Sequence, residues 1–236
     1  MKNFLKKILA TVVLSAVAFE TSANGLRVAS EDAFAAARGN AFTATADNAA
    51  AIYYNPAGLT QISGTELRGG LYGLNLDPTF TAPASSANAG QTYGIDKHYA
   101  FIPQSFLAHT FSNAPVSIGL GIYAPFGGGI GWPDESGFRA VATRGSTTYL
   151  RFNPAVAVKL CEQLSFGAGV SADYARINLE QGLRPLAAPL ANDFRFTGAG
   201  WAAGYSVGVL WKPWSFLTFG ATVRGDTHFN LTGETS

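Results

Sequence analysis

The histidine and cysteine residues are the first place to look for catalytic or metal-binding chemistry in this chain of 236 residues. Its three histidines are His98, His109 and His228, and no serine or aspartate stands with them at a spacing typical of a nucleophilic site. Cys161 is the single cysteine, so no intrachain disulfide and no cysteine-based metal or redox framework can form. We interpret Cys161 as a turn residue without an assigned role. The sequence therefore predicts a protein that is not an enzyme and that has no cofactor and no metal.

Apolar side chains in two turn-rich stretches indicate a different chemistry, the binding of an apolar compound. Each methylene group that leaves water contributes about 0.8 kcal/mol, so a long hydrocarbon chain needs several apolar contacts and no energy source. Exposed apolar clusters usually mark binding sites, although two loops that pack on each other would show the same pattern. The first cluster is Phe126, Ile130, Trp132 and Phe138, and the second is Leu183, Leu186, Leu190 and Phe194.

The segments that must position these clusters alternate between apolar and polar residues. From Leu217 to Leu231 the apolar set, which includes Phe229, keeps strict period two, and this run is far longer than a usual soluble strand. Trp201 and Trp211 lie on one apolar face, ten residues apart. Ten residues span about 34 Å of strand, or roughly 25 Å of height after tilting, which is the separation of the two aromatic girdles of an outer-membrane barrel. The alternative is a pair of core tryptophans in a β-sandwich.

The composition favours the membrane alternative. Charged residues make up only 13% of the chain, whereas an ordinary soluble domain has about 25%. No apolar run after residue 23 reaches the length of a membrane-spanning helix. The predicted fold is all-β, a transmembrane antiparallel β-barrel whose strands are apolar on one side only. A secreted soluble β-sandwich is the remaining alternative.

The N-terminus has the three regions of an export signal. Lys2, Lys6 and Lys7 precede a short apolar run at residues 8–19, and small residues predict cleavage before Asn24. A membrane anchor is the alternative, but it needs about 20 apolar residues. Residues 1–23 are therefore a predicted signal peptide, and the location is the outer membrane of a Gram-negative bacterium. Removing three lysines and one glutamate leaves 13 basic and 14 acidic residues, so a nucleic-acid partner has no electrostatic support.

Connection lengths predict which end of each strand faces the periplasm. Short periplasmic turns and long extracellular loops are typical of outer-membrane barrels. About seven strands fit the sequence, whereas bacterial single-chain barrels have an even count. Residues 63–236 are therefore predicted to form the first half of a barrel, either as part of a longer protein or as the product of a truncated reading frame. The short connections are 112–115, 161–163 and 212–215, and the long ones are 77–100, 126–142 and 181–195.

Residues 39–59 are the segment that points to a family. They are rich in Ala and Gly and run into Asn55-Pro56-Ala57, so they are too small and polar to span a membrane and must pack inside another structure. This segment resembles the N-terminal hatch, or plug, of the FadL family, which are outer-membrane channels for long-chain fatty acids and other hydrophobic molecules. Three later stretches add to the resemblance, and they are residues 123–127, 164–180 and 200–229.

The resemblance implies a 14-stranded barrel, of which seven strands would be half, with residues 24–62 as the plug. The chemistry of the Asn55-Pro56-Ala57 turn is clear from the residues themselves. Proline fixes φ and bars Asn55 from the α region, so a short helical segment should end at Tyr54. An ordinary loop turn before a strand would use the same residues.

The resemblance also implies a mechanism, which is passive uptake of a long-chain fatty acid or similar molecule. Extracellular loops would capture the ligand, the plug would rearrange, and the ligand would leave sideways into the membrane at a kinked third strand. Gly119 and Gly121 are candidates for that gap, or they make room for the plug. The expected partners are the ligand and outer-membrane lipid, and the full-length protein is expected to be a monomer.

In the family a cationic residue at the outer end of the strand that ends near Glu180 binds the carboxylate of the ligand. A gap-free match places Gln181 there, so Arg184 and Arg176 are the nearby candidates. This difference leaves an uptake channel for uncharged or aromatic hydrocarbons as an alternative. A second alternative is an adhesin or structural barrel that transports nothing.

Overall fold

The computed structural model describes residues 27–28, 30–85, 88–97, 99–136, 139–183 and 193–236, so the predicted signal peptide lies outside the described residues. Ahead of the sheet, the N-terminal segment (residues 30–62) holds helix α1 (Ala33–Ala37), helix α2 (Ala51–Tyr54) and a 3-10 helix (Pro56–Gln61). The strands are β1 (Gly64–Asn75), β2 (Thr79–Thr81), β3 (Thr92–Gly94), β4 (Tyr99–Thr110), β5 (Val116–Tyr123), β6 (Gly128–Gly131), β7 (Arg144–Cys161), β8 (Leu164–Gly182), β9 (Asp193–Trp214), β10 (Leu217–Arg224) and β11 (Thr232–Thr235).

One antiparallel sheet contains most of these strands. Seven of them form a continuous path in the order β1-β4-β5-β7-β8-β9-β10. Strand β6 adds to β7, β11 adds to β9, and β2 and β3 form a separate hairpin. The predicted all-β antiparallel fold with seven main strands is therefore confirmed.

Alternation along the strands defines an inner and an outer face of the sheet. On β8, Phe166 and Val170 are exposed, whereas Gly167 between them is buried. The inner face is the one that touches the N-terminal segment, from Arg68 on β1, which pairs with Asp32, to Gly220 on β10, which lies against Thr43. Because strands at both edges reach the same segment, the sheet must curve around it as half of a barrel.

Aromatic residues form two bands on the outer face. Trp201 is 62% exposed and Trp211 is 47% exposed. The Trp201 ring lies 5.2 Å from Tyr174, and the Trp211 ring stacks on Phe219 at 5.4 Å. Core tryptophans of a sandwich would be buried, so this alternative is wrong. The positions of the two bands match those of the aromatic girdles that border the apolar belt of a membrane barrel.

The prediction of one long strand from Leu217 to Leu231 is wrong for the second half of that segment. Strand β10 ends at Arg224, which pairs with Ser206, and pairing resumes at Thr232, which faces Ala199. Eight residue steps therefore oppose seven on β9, and the one extra residue exchanges the two faces. Phe229 consequently lies on the inner face, with its ring 5.6 Å from Tyr149.

Small residues of the N-terminal segment let its backbone approach the sheet closely. Residues 49–51 are alanines with no exposed surface. The Phe42 ring meets the Tyr54 ring edge to face at 5.2 Å, and both belong to a buried cluster that includes Phe106 of β4. The core of the molecule therefore lies between the N-terminal segment and the inner face.

Candidate functional site

Asn55 fixes the position of the N-terminal segment on the inner face. Its fully buried side-chain amide donates hydrogen bonds to the carbonyl of Thr43 at 2.8 Å and to the carbonyl of Val209 at 3.0 Å. Its side-chain oxygen accepts a hydrogen bond from the Ala57 backbone N–H at 3.2 Å and caps the 3-10 helix, in which Pro56 is the first residue. Helix α2 ends at Tyr54, as the chemistry of Asn55-Pro56 predicts.

Glycines on the inner face form the seat for this turn. A Cβ atom at Gly208 would collide with the Asn55 side chain, and one at Gly167 would collide with the backbone of Pro56 and Ala57. Glycine is needed at both positions because the two backbones approach too closely for any side chain. The seat and the turn are therefore complementary in shape.

An ionic network lines the start of the N-terminal segment. Asp32 pairs with Arg68 of β1 at 3.2 Å, and Arg27 donates to the Tyr53 hydroxyl at 2.6 Å. Glu31 has no exposed surface, and neither of its carboxylate oxygens has a hydrogen-bond partner among the described residues. Burial raises the pKa of Glu31 to about 8, against the smaller opposing influence of Arg27. The segment therefore buries a carboxyl group that is mostly protonated at neutral pH.

Aromatic rings cluster on the inner face on the loop side of this network. The ring of Phe126, a predicted ligand contact, lies 5.4 Å from Tyr149, which also touches Phe229. Below them Arg151 binds Asp173 through two hydrogen bonds of 2.6 and 2.7 Å. The arrangement presents an apolar aromatic surface above a neutralised ion pair.

Tyr149, Arg151 and Asp173 are not among the site residues predicted from the sequence. The predicted tight turn at residues 161–163 could have revealed the ion pair, because counting outward from its centre places residue 151 opposite residue 173, as the register confirms.

The third strand along the path of the sheet, which begins as β5, is interrupted, and this interruption opens the wall of the sheet. Strand β5 ends at Tyr123, and the chain resumes pairing at β6, beyond Gly127. Gly127 and Gly128 have φ values of 145° and 150°, a conformation that favours glycine. Strand β4 pairs with β5 only from Ser105 onward. Its residues 99–104 therefore have no strand beside them on that side within the described part of the chain.

The predicted gap residues Gly119 and Gly121 do not lie at this interruption. Both are paired with β4 on one side and with β7 on the other. A Cβ atom at Gly119 would come within 2.7 Å of Ile52 in helix α2. Of the two roles that the sequence left open, the structure therefore places Gly119 in the role of making room for the N-terminal segment.

A cavity of about 370 Å³, which we call the rim cavity, lies at the loop end of the interruption. It extends from Tyr99 and Ala100 on β4 across β6 to β9. Ile130, a predicted ligand contact, and Leu179 supply apolar surface, and an ion pair of 3.3 Å between Arg144 and Asp96 borders it.

The other predicted ligand contacts that the structure describes lie apart from one another. Trp132 is half-buried beside the Thr143 carbonyl, to which its backbone N–H donates at 2.8 Å. Leu183 and Phe194 are exposed at the ends of β8 and β9. Phe138, Leu186 and Leu190 lie outside the described residues.

Of the two predicted carboxylate partners, Arg176 is the one in the described part of the chain, and it does not lie on the inner face. Arg176 is exposed and alternates with the inner residues Ala175 and Asp173, so its side chain is on the outer face. Arg184 lies outside the described residues.

Metal sites and membrane-spanning helices are two further features to consider in the described part of the chain. No group of three or more His, Cys, Asp or Glu side chains there could hold a metal ion. None of the helices found there is long and apolar enough to cross a membrane.

Comparisons with known proteins agree with the geometry. The sequence model of the outer membrane protein transport protein family (OMPP1/FadL/TodX) matches residues 14–236. A Pseudomonas aeruginosa FadL homologue is similar in structure, with a TM-score of 0.64, 17% identity, and coverage of 89% of this chain and 56% of the other.

Two further solved structures are similar at 18% identity and a TM-score of 0.58. The match to the P. putida toluene transporter TodX covers 80% of this chain and 55% of the TodX chain. The match to the CymD monoaromatic hydrocarbon channel covers 89% of this chain and 56% of the CymD chain. The chain therefore spans little more than half the length of these structures. No curated protein matched.

Proposed function

This chain belongs to the OMPP1/FadL/TodX family of outer membrane transport proteins, and we propose that it forms a passive channel that admits hydrophobic small molecules through the outer membrane. One observation supports this most directly, the interruption of the wall between β4 and β6 beside the rim cavity. Backbone without a strand partner is tolerated in a membrane barrel where it lines a cavity, so we interpret the opening beside the rim cavity as a functional feature.

The proposed route begins at the loop end of the sheet. A ligand captured there would meet Ile130 in the rim cavity and the ring cluster of Phe126, Tyr149 and Phe229 on the inner face. It would then leave sideways through the opening beside residues 99–104 of β4. Transfer from water into this apolar path contributes about 0.8 kcal/mol per methylene group, so no energy source is needed.

Residues 24–62 act as the plug in this proposal. Their described part fills the concave side of the sheet, and Asn55 anchors it to β9. We further propose that the signal peptide is cleaved before Asn24 and that the protein acts as a monomer in the outer membrane.

The charges beside the ring cluster favour an uncharged ligand. Arg151, the guanidinium below the ring cluster, is already neutralised by Asp173 at 2.6 Å. Arg176 points away from the inner face. An aromatic or aliphatic hydrocarbon therefore fits the ring cluster better than a fatty acid, whose carboxylate would lose its hydration there without gaining a partner. Long-chain fatty acids remain the second candidate.

Uptake into cells tests both ligand classes. Cells that carry the protein, and a matched deletion strain, are given radiolabelled toluene or radiolabelled oleate, and the initial uptake rates are compared. We expect the protein to accelerate toluene uptake more than oleate uptake. Tyr149→Ala, which removes the centre of the ring cluster, should slow uptake, whereas the matched outer-face variant Phe166→Ala should not.

Two outcomes would contradict parts of the proposal. Uptake rates equal to those of the deletion strain for both compounds would favour the adhesin or structural barrel. Faster uptake of oleate than of toluene would keep the channel and replace the uncharged ligand by a fatty acid.

A further inference from the structure

A polar ladder crosses the outer face of β7, β8 and β9 on the loop side of the upper aromatic band. The band itself is marked by Tyr174, whose ring lies 5.2 Å from Trp201. The next residue on the same face of β8 is Arg176, which is exposed and faces Thr148 and Ala199 on the neighbouring strands. The apolar surface therefore changes to a cationic one within a single step of the strand.

Two more rungs follow, and cross-strand bonds order both of them. Asn178 donates to the Ser146 hydroxyl at 3.2 Å and accepts from Thr197 at 3.1 Å. In the last rung Glu180 stands between Arg144 and Arg195, and the Glu180–Arg195 ion pair is 3.0 Å long. All these residues alternate in phase with Tyr174 and Trp201. The two outer rungs also line the rim cavity, so the ladder borders the loop end of the proposed ligand path, whereas Arg176 lies outside that cavity.

The height of the ladder matches the headgroup layer of a membrane. A same-face step of two residues rises about 5 Å, given about 3.4 Å per residue and a strand tilt of about 40°. Arg176 therefore lies about 5 Å beyond the aromatic band, and the rung of Arg144 and Arg195 about 15 Å beyond it. The aromatic band marks the border of the hydrocarbon layer, so the ladder spans the polar layer just outside.

The guanidinium groups of the ladder keep free surface although acidic residues hold two of them in place. The side chain of Arg144 is 55% exposed and that of Arg195 is 59% exposed, so each retains donors that point to solvent. Arg176 takes no part in the ion pairs of the described residues. Lys97 lines the same rim cavity as Arg144 and Arg195. These four cations face three acids, Asp96, Glu180 and Asp193.

We propose that this ladder binds the phosphorylated headgroup of an outer-leaflet glycolipid. The phosphates would contact Arg144, Arg176 and Arg195, since guanidinium groups form paired, charge-assisted bonds to phosphate oxygens. The acyl chains would lie on the apolar outer face below, beside Val170 and Phe166, which are 63% and 43% exposed. A free anion would use only the cations, whereas a lipid uses the cations and the adjacent apolar belt together.

The test measures binding of lipid A that carries both phosphates to the purified protein. Thermal unfolding is followed in phosphatidylethanolamine vesicles with increasing lipid A content, and an apparent dissociation constant is obtained. Near a membrane surface each basic residue is worth about 1 kcal/mol, so Arg144→Gln and Arg176→Gln should each weaken binding roughly five-fold. The double variant should weaken it about 25-fold if the two contacts are independent. Dephosphorylated lipid A should bind no better to the wild type than to the double variant.

Lys159→Gln is the matched control. It removes one exposed positive charge near the tight turn at residues 161–163, at the opposite end of the sheet, and it should leave the dissociation constant unchanged. The proposal is overturned if the double variant binds lipid A as tightly as the wild type, or if Lys159→Gln weakens binding equally. It is also overturned if inorganic phosphate alone displaces lipid A at a similar affinity, because the occupant would then be a free anion.

Discussion

Replacing Glu31 by glutamine should stabilise the N-terminal segment and remove most of its dependence on pH. The carboxyl group is completely buried and lacks a hydrogen-bond partner among the described residues. Arg27 and Arg151 oppose the effect of burial from a distance, but they do not cancel it. The amide of Glu31→Gln keeps the size of the side chain and cannot ionise, so the free-energy cost of burying a carboxyl group that ionises in the unfolded state disappears.

The magnitude follows from the shift of the pKa. Burial raises the pKa of Glu31 from 4.5 to about 8, which corresponds to an upper bound of about 5 kcal/mol at about 1.4 kcal/mol per pKa unit. The folded state keeps the proton over this window while the unfolded state releases it. Stability of the segment should therefore fall as pH rises, by about 1.4 kcal/mol per pH unit between about pH 5 and pH 8, and level off above that.

Amide hydrogen exchange in peptides from residues 30–62 provides the assay. Protection factors are converted to opening free energies at several pH values between 5.5 and 8, after correction for the intrinsic exchange rate. We expect a falling line for the wild type and a nearly flat one for Glu31→Gln, with the two meeting near pH 5. The variant Glu234→Gln, at an exposed strand residue, should follow the wild type. Equal slopes for the wild type and Glu31→Gln would refute the reasoning.

Packing, membrane placement and orientation can each be checked by one variant or label. A methyl group at Gly208 would collide with Asn55, so Gly208→Ala should destabilise the N-terminal segment by about 1–3 kcal/mol. Gly69→Ala, which meets open space, should not, as judged by hydrogen exchange. Val170→Arg should lower the free energy of unfolding, measured with urea in vesicles, by about 2–4 kcal/mol. An unchanged free energy of unfolding would place this face in water. Exposed Cys161 should react with a membrane-impermeant maleimide only in permeabilised cells, and labelling of intact cells would reverse the proposed orientation.

The strands were predictable from the sequence because a sheet with one apolar and one polar face forces strict alternation. The end of helix α2 was predictable for another reason, since Asn55-Pro56 acts through local chemistry alone. The face of Phe229 was not predictable, because one extra residue between Arg224 and Thr232 exchanges the faces. A phenylalanine ring fits the membrane-facing side and the inner aromatic cluster equally well, so the identity of residue 229 does not show that the faces have been exchanged.

One residue of the sequence, the proline of β4, indicates the wall opening. Pro103 lies on β4, in the part that has no strand on its second side, and proline cannot donate a ladder hydrogen bond, so within sheets it is found mainly at edges and bulges. Gly119 and Gly121 are the predicted gap residues, but a glycine within a strand is expected both where the strand bends and where a neighbouring segment packs closely. Only the position of the N-terminal segment distinguishes these two causes.

The N-terminal segment and the wall opening are joined by direct bonds, and this has a consequence for the proposed channel. The backbone N–H of Val28 donates to the Pro125 carbonyl at 3.0 Å, and Arg27 forms a β-bridge with Phe126. These bonds satisfy backbone groups that the interruption of the third strand leaves without a strand partner. A movement that draws the segment from the sheet must expose them again, at about 1–3 kcal/mol for each group left unpaired. The segment and the opening should therefore move together, and loss of protection at Val28 without any change in residues 30–62 would show that they do not.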